Sequence, residues 1–395
     1  MPRQARGIQP IRLVCLAAAV VLSCASPATG QVVVKVNDDV NFRFGALLQA
    51  WADWTQDANT SGYSQNFFLR RVRFILSATV APGVSVFYQT DNARLGNAGA
   101  TGVKNVNTGF ITQDAFAEWK LAGDALMLDG GLFYTPQSRG VLNSSSSNLS
   151  FDTPTFGQGQ VSVIAGNAGR DYGFGLKGYL AGDHLEYRAD VFDGQRQNTR
   201  NQPPPLGPAA GSRNSFRVAA RLQYDFFDVE KGYVYVGTNR GTRKILALGA
   251  WGDTQGDYKA YGADIFADIP VVGKDAVTAE ADVLSYDGGT QFQATVAGVT
   301  VPLLPKQRAF FTDLGYYCDA LKIQPYFRYE RLSFDQDTFK TGDQIRYGGG
   351  LNWYISGQNL KLSPFYERIV PRQKTGASPI RETNHFGVQL QAYYF

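Results

Sequence analysis

Sixteen segments in which apolar and polar residues alternate recur between residues 41 and 394, and this repeat constrains the fold more than any other feature. One of them places Phe216, Val218 and Leu222 on alternate positions, with Arg217 and Arg221 between them. Alternate residues of a strand point to opposite faces, so the pattern predicts β-strands with one apolar and one polar face. The segments begin near residues 41, 67, 84, 112, 125, 170, 184, 216, 244, 258, 276, 307, 322, 343, 360 and 384.

The connections between these segments alternate in length. Short turns are predicted at residues 81–83, 122–124, 181–183, 226–232, 270–275, 318–322 and 356–359. Long polar loops are predicted at 55–66, 93–111, 135–169, 195–215, 288–306 and 369–383, and the short connection near 253–257 is the main exception. Consecutive antiparallel strands with unequal ends, an even strand number and one polar face are typical of transmembrane β-barrels. Since lipid cannot satisfy an open sheet edge, the sheet must close.

The predicted fold class is therefore all-β, a 16-stranded antiparallel transmembrane β-barrel. Charged residues form 18% of the chain, below the roughly 25% of average soluble proteins, and there are 43 Gly, 21 Tyr and 26 Phe. This composition favours strands and turns. A soluble β-sandwich or propeller would also alternate, but the unequal loop lengths and an N-terminal leader favour the barrel.

The first thirty residues have the pattern of a signal peptide. Arg3, Arg6 and Arg12 precede an apolar stretch from Leu13 to Ala25, and small residues end the segment at Gly30. That stretch is shorter than the ~20 residues a membrane-spanning helix needs. We therefore expect a signal peptide over residues 1–30 and a transmembrane β-barrel domain over 31–395. A lipoprotein cleavage site ahead of Cys24 is the alternative.

Without the leader, the chain has 35 basic and 34 acidic residues. This balance gives no global field that would attract nucleic acid, so no nucleic-acid partner is predicted. Cys318 alone remains outside the leader, which leaves no disulfide framework.

An enzyme is not predicted, and neither is a cofactor or a metal. The glycine-rich stretch 173–178 lies in an alternating strand without the helix that a dinucleotide site requires. An outer-membrane barrel hydrolase is the enzyme alternative, and it would need a serine oriented by a histidine. The two histidines, His184 and His385, have no serine-nucleophile signature nearby.

Four stretches resemble the phosphate-selective porin O/P family of Gram-negative outer membranes. They cover residues 67–91, 114–138, 169–195 and 348–369. The resemblance implies a homotrimer in the bacterial cell outer membrane, whose partners are outer-membrane lipid and small inorganic or organic anions. It also implies that the third long loop, residues 135–169, folds inward, and that basic side chains in the lumen conduct phosphate-like anions.

The stretch FFLRRVRFIL, residues 67–76, shows how arginines fit such a barrel. Alternation predicts that Phe68, Arg70, Val72, Phe74 and Leu76 face lipid, with Arg70 near the interface. Arg71 and Arg73 would then project into the hydrated lumen. A guanidinium stays charged and matches oxyanion geometry with paired donors, so a row of them favours anions.

The sequence thus predicts a diffusion porin selective for phosphate-like oxyanions. The candidate pore-lining and anion-binding residues are Arg43, Arg71, Arg73, Arg139, Arg217, Arg221, Arg328 and Arg346. Two interpretations stay open beside it: a general, weakly selective porin, and arginines that only pair with acids of the wall. The acids expected on the lumen face are Asp53, Asp114, Glu118, Glu186, Asp190, Asp264, Glu280 and Asp282.

Overall fold

The computed structural model describes residues 32–98, 103–104, 109–157, 163, 167–195, 215–296, 299–372 and 382–395. The predicted signal peptide, residues 1–30, lies outside the described residues, and its cleavage stays a prediction.

Nineteen strands and two short helical turns make up the described secondary structure. The helical turns are Arg139–Leu142 and the 3-10 turn Asp337–Gly342. No helix among the described residues is long and apolar enough to cross a membrane. The strands are β1 (Val32–Lys35), β2 (Asn41–Gln56), β3 (Tyr63–Ala81), β4 (Val84–Asp91), β5 (Ile111–Lys120), β6 (Met127–Tyr134), β7 (Arg170–Leu180), β8 (Leu185–Phe192), β9 (Arg217–Asp225), β10 (Ile245–Gln255), β11 (Tyr258–Val272), β12 (Asp275–Asp287), β13 (Gln293–Val296), β14 (Val299–Pro302), β15 (Gln307–Tyr317), β16 (Ile323–Phe334), β17 (Gln344–Gln358), β18 (Leu360–Pro371) and β19 (Thr383–Tyr394).

Sixteen of these strands form a closed antiparallel ring. Strands β2 to β12 pair in sequence order, β12 pairs with β15, and β15 to β19 continue in order. The ring closes where β19 pairs with β2, with Phe386 opposite Trp54. Strand β1 pairs with the start of β2, and β13 and β14 form a separate hairpin. The predicted 16-stranded barrel is confirmed, and every predicted segment begins within four residues of a ring strand.

The two faces of the ring strands are inverted relative to a soluble protein. Along β9, Arg217, Arg221 and Gln223 are buried, whereas Val218 and Leu222 are exposed. The other ring strands except β6 also carry large exposed apolar side chains. Charged residues inside and an apolar outer surface are the arrangement that lipid requires of a barrel.

The unequal barrel ends are also as predicted, with one correction. Strands β3 and β4, for example, are joined by two residues, and Gly83 adopts a positive φ of 72° there, whereas 35 residues separate β6 from β7 at the other end. The short connection between β10 and β11 is the exception that the sequence indicated. The predicted tight turn at residues 226–232, however, is wrong. Residues 226–244, here called the turn segment, leave β9 and return to β10 without entering a ladder, and Glu230 and Tyr235 within them are buried.

A β-bulge in β3 corrects a second prediction. Gln49 lies opposite Arg71 and the next residue of β2 lies opposite Leu69, so Arg70 is an extra residue in the ladder. The extra residue shifts the alternation on one side of the bulge. Phe68 is therefore buried inside the barrel, and Arg70 forms an ion pair with Asp152 instead of facing lipid.

The barrel interior also contains apolar packing. One cluster lines β10 to β16 on the inner face and includes Phe156, Trp251, Phe292, Phe311 and Leu332. The inner wall is thus largely polar, with an apolar region along β10 to β16.

Candidate functional site: the barrel interior

Residues 135–157, here called the loop segment, follow β6 and contact the inner wall of the barrel. Nearly all of its residues are buried. The amide of Gly140 donates to Asp282 Oδ2 at 3.0 Å, and Asn352 Nδ2 donates to the carbonyl of Leu149 at 2.6 Å. Further wall partners of the segment are Gln49, Arg73, Asp264, Glu280, Asp313, Glu330 and Gln391. These partners come from eight ring strands, in the arc that runs from β11 through β19 to β3.

The turn segment reaches the inner wall from the other end of the barrel. The Tyr233 hydroxyl donates to Asp114 on β5 at 2.5 Å, and the Tyr235 hydroxyl donates to Glu186 on β8 at 2.6 Å. Asn239 Nδ2 donates to Asp268 on β11 at 3.1 Å. The two tyrosine hydroxyls therefore fix this segment to β5 and β8, and Asn239 fixes it to β11.

The two segments contact each other. The amide of Ser144 donates to the carbonyl of Tyr235 at 2.9 Å, and the amide of Tyr235 donates to the carbonyl of Leu142 at 3.0 Å. Arg139 donates two hydrogen bonds to the carboxylate of Glu230, at 2.6 and 2.9 Å. The Arg139 guanidinium also lies 3.6 Å from the centre of the Phe266 ring. The loop and turn segments therefore form one connected layer between the walls.

Seven of the eight predicted arginines form ion pairs inside the barrel. The pairs are Arg71–Asp152 at 2.6 Å, Arg73–Asp91 at 3.0 Å, Arg139–Glu230 at 2.6 Å, Arg217–Asp253 at 2.5 Å, Arg221–Asp264 at 2.6 Å, Arg328–Asp313 at 2.6 Å and Arg346–Glu367 at 3.4 Å. Arg43 differs, since it is exposed and lies 5.8 Å from the Phe395 ring. The structure brings the arginines to the interior but gives most of them a carboxylate partner.

Asp152 of the loop segment shows how strong this pairing is. It accepts from Arg70 Nε at 2.8 Å and from Arg71 Nη2 at 2.6 Å. Burial alone would raise the pKa of Asp152, but the two guanidinium groups hold it well below its usual range. The carboxylate is therefore ionised over all ordinary pH values and holds the loop segment to β3.

Inside the barrel, acidic side chains outnumber basic ones. Of the buried charged side chains in the described chain, 17 are acidic and 10 are basic. The acids predicted on the lumen face are buried, except that Glu118 is half-buried. The near-neutral net charge of the sequence thus conceals an acidic inside.

Little in the sequence indicates that the turn segment enters the barrel. Tyr233 and Tyr235 alternate like the residues of a strand, and Glu230 looks like an ordinary turn residue. The one available signal was the length of chain between β9 and β10, since it exceeds every other connection at that barrel end.

The imidazole nitrogens of both histidines lie close to oxygen atoms of the protein. His385 lies 3.1 Å from Asp53 Oδ2 and 3.6 Å from Glu367 Oε2, and His184 Nδ1 lies 2.6 Å from the carbonyl of Asp225. Among the described residues, no group of three or more His, Cys, Asp or Glu side chains is arranged to hold a metal ion.

Comparison with known proteins shows the fold. No protein-family model matches the chain, and no curated protein matches it. OmpF of Salmonella typhi, in complex with daunomycin, is similar with a TM-score of 0.57 at 12% identity, over 92% of this chain and 100% of that chain. The trimer form of OmpT, an outer membrane protein of Vibrio cholerae, is similar with a TM-score of 0.51 at 12% identity, over 90% of this chain and 100% of that chain. The chain has the fold of bacterial outer-membrane barrels.

Proposed function

We propose that this chain is a diffusion porin of the bacterial outer membrane. The observation that carries the proposal is the inverted barrel, with charged residues inside and apolar residues outside on 16 closed strands. Such a wall suits lipid on one side and water-filled space on the other. Solved structures with this architecture include bacterial outer-membrane porins.

We further propose that the loop and turn segments narrow the lumen. The loop segment hydrogen-bonds to wall strands from β11 through β19 to β3, and the turn segment joins it through Arg139 and Glu230. A layer anchored at this many points would restrict the size of the solutes that pass. This extends the inward fold that the family resemblance implied for the third long loop.

Of the sequence-based interpretations of selectivity, the geometry favours a general pore over a phosphate-selective one. Seven predicted arginines already have carboxylate partners, so few positive charges are left to bind an oxyanion. The resemblance to the phosphate-selective O/P family stays a prediction. A homotrimer stays a proposal too, supported by the trimer form of the similar OmpT.

Liposome swelling tests the porin proposal. Purified protein in liposomes should admit small uncharged sugars at a rate that falls steeply with sugar size, whereas empty liposomes should not swell. An esterase assay on the same preparation tests the hydrolase alternative, and native mass spectrometry in mild detergent tests the trimer. Liposomes that do not swell, together with esterase activity, would overturn the porin in favour of the hydrolase.

A further inference from the structure

We propose that Asp129 and Asp190 form a cation-binding step on the inner wall and that the pore prefers small inorganic cations to anions. This inference rests on the proposed porin function and reverses the selectivity expected from the arginine-rich sequence.

The two aspartates face each other across a glycine. Asp129 on β6 and Asp190 on β8 both lie opposite Gly175 of the strand between them. All three positions point to the inner face, and a Cβ atom at Gly175 would lie 2.0 Å from Asp190 Oδ1. The Asp190 carboxylate therefore occupies the space above the glycine, in the direction of Asp129. The backbones of the two aspartates are two strand spacings apart, roughly 9.6 Å. The Asp190 side chain crosses much of this gap above Gly175, so one cation can lie between the two carboxylates.

Neither aspartate has a partner among the described side chains. Asp129 is 7% exposed, and its Oδ1 is buried with no hydrogen-bond donor. Asp190 is 4% exposed and has no ion pair to any described residue. A charged group buried without a partner is costly, and two like charges side by side are more so. A bound cation would remove this cost.

The nearest cationic side chains are already committed elsewhere. Lys177 donates to the carbonyl of Gly232 at 2.9 Å and lies 3.5 Å from Glu118. Arg188 pairs with Glu186 at 2.7 Å. On this part of the wall, two basic side chains (Lys177 and Arg188) therefore face four carboxylates. A cation from solution would balance the negative charge that Asp129 and Asp190 leave over.

The interior as a whole favours the same sign. Buried acidic side chains outnumber basic ones by 17 to 10 in the described chain. Rings of Asp and Glu side chains select cations in channels, because they raise the local cation concentration and repel anions. The Asp129–Asp190 pair is one place in the described interior where buried acids form no ion pair with the protein.

Reversal potentials in a planar bilayer under a KCl gradient at pH 8 test the inference. We compare the wild type with Asp129→Asn/Asp190→Asn and with the control Asp38→Asn/Asp39→Asn. The control removes the same charge at the exposed turn before β2. The wild type and the control should show a reversal potential whose sign reports a preference for K⁺ over Cl⁻. The Asp129→Asn/Asp190→Asn variant should lose up to about fivefold of its K⁺ over Cl⁻ preference, the effect of one unit charge ~4 Å away in water.

The outcomes separate the inference from the porin proposal. Chloride preference or no preference in the wild type overturns the inference, even if the variant does not fold. An unchanged potential in a variant that still forms a heat-modifiable barrel also overturns it, and leaves the pair as wall residues that share a proton. A wild type without any conductance overturns the porin proposal itself.

Discussion

The guanidinium of Arg139 donates two hydrogen bonds to the carboxylate of Glu230, at 2.6 and 2.9 Å, and so joins two connections that come from opposite ends of the barrel. Both side chains are almost completely buried. Burial favours the neutral form of Arg139, but the Glu230 charge raises the Arg139 pKa above its ordinary value. The pair is therefore charged at any working pH and holds the loop and turn segments together.

Removal of one partner should destabilise this layer more than removal of both. Arg139→Gln leaves Glu230 buried and unpaired, which costs about 3–5 kcal/mol, whereas Arg139→Gln with Glu230→Gln leaves no uncompensated charge. Heat modifiability on gels should show the larger loss of stability for the single variant, and single-channel conductance should rise in both. The control Lys340→Gln breaks an exposed pair with Asp337 and should change neither. Equal losses in the single and double variants would contradict the pairing.

Arg71 and Arg73 give a second test of pairing. Both are buried and hydrogen-bond to acids, at 2.6 Å to Asp152 and 3.0 Å to Asp91. Replacement of both arginines by Gln should lower the temperature at which the barrel unfolds and shift the reversal potential toward cations, because Asp91 loses its ion pair and Asp152 keeps only Arg70. An intact melting temperature with a loss of anion permeability would instead support the anion-selective arginine row.

Glycines on the inner wall allow close strand contacts, and Gly348 of β17 is a clear case. A Cβ atom there would lie 2.0 Å from the carbonyl oxygen of Tyr366 on the neighbouring strand. Gly348→Ala should destabilise the barrel by about 1–3 kcal/mol through overpacking. Gly252→Ala is the matched control, since nothing lies within 4 Å of its Cβ position. Denaturant unfolding followed by circular dichroism measures both, and equal midpoints would count against the close contact.

The ion pairs of Asp152 lead us to expect that its contribution to stability depends on pH. Its pKa in the folded protein lies below the ~3.9 of an unfolded chain, so its stabilising effect is present above that value and is lost as pH falls through the folded pKa. The difference in melting temperature between wild type and Asp152→Asn should be constant from about pH 7 to pH 5 and shrink only well below about pH 4. A difference that disappears by about pH 5 would show that the arginines do not hold this carboxylate.

The barrel could be predicted from the sequence because lipid forces a period of two on every ring strand. The alternation of β9, for example, can be read directly, and the segment starts fall close to the strand starts. The bulge at Arg70 could not be predicted, since one inserted residue leaves the composition unchanged and moves only the phase. Because of the bulge, Phe68 and Arg70 lie on the face opposite to the one that the alternation predicts.

The contents of the lumen were harder to predict than its wall. The sequence indicates which residues face inward, but it does not show which arginine pairs with which acid, since the partners are far apart in the chain. Arg217 and Asp253, for instance, are on neighbouring strands but 36 residues apart. The turn segment was missed because its tyrosines alternate like a strand, while their hydroxyls actually bind Asp114 and Glu186.

The most direct test of the account is single-channel recording of the purified native protein in a planar bilayer. The account predicts discrete, stepwise increases in conductance as barrels insert, with larger steps when Arg139→Gln/Glu230→Gln releases the layer inside the lumen. A protein that inserts as a heat-modifiable barrel yet produces no steps, in the wild type and in the released variant, would contradict it.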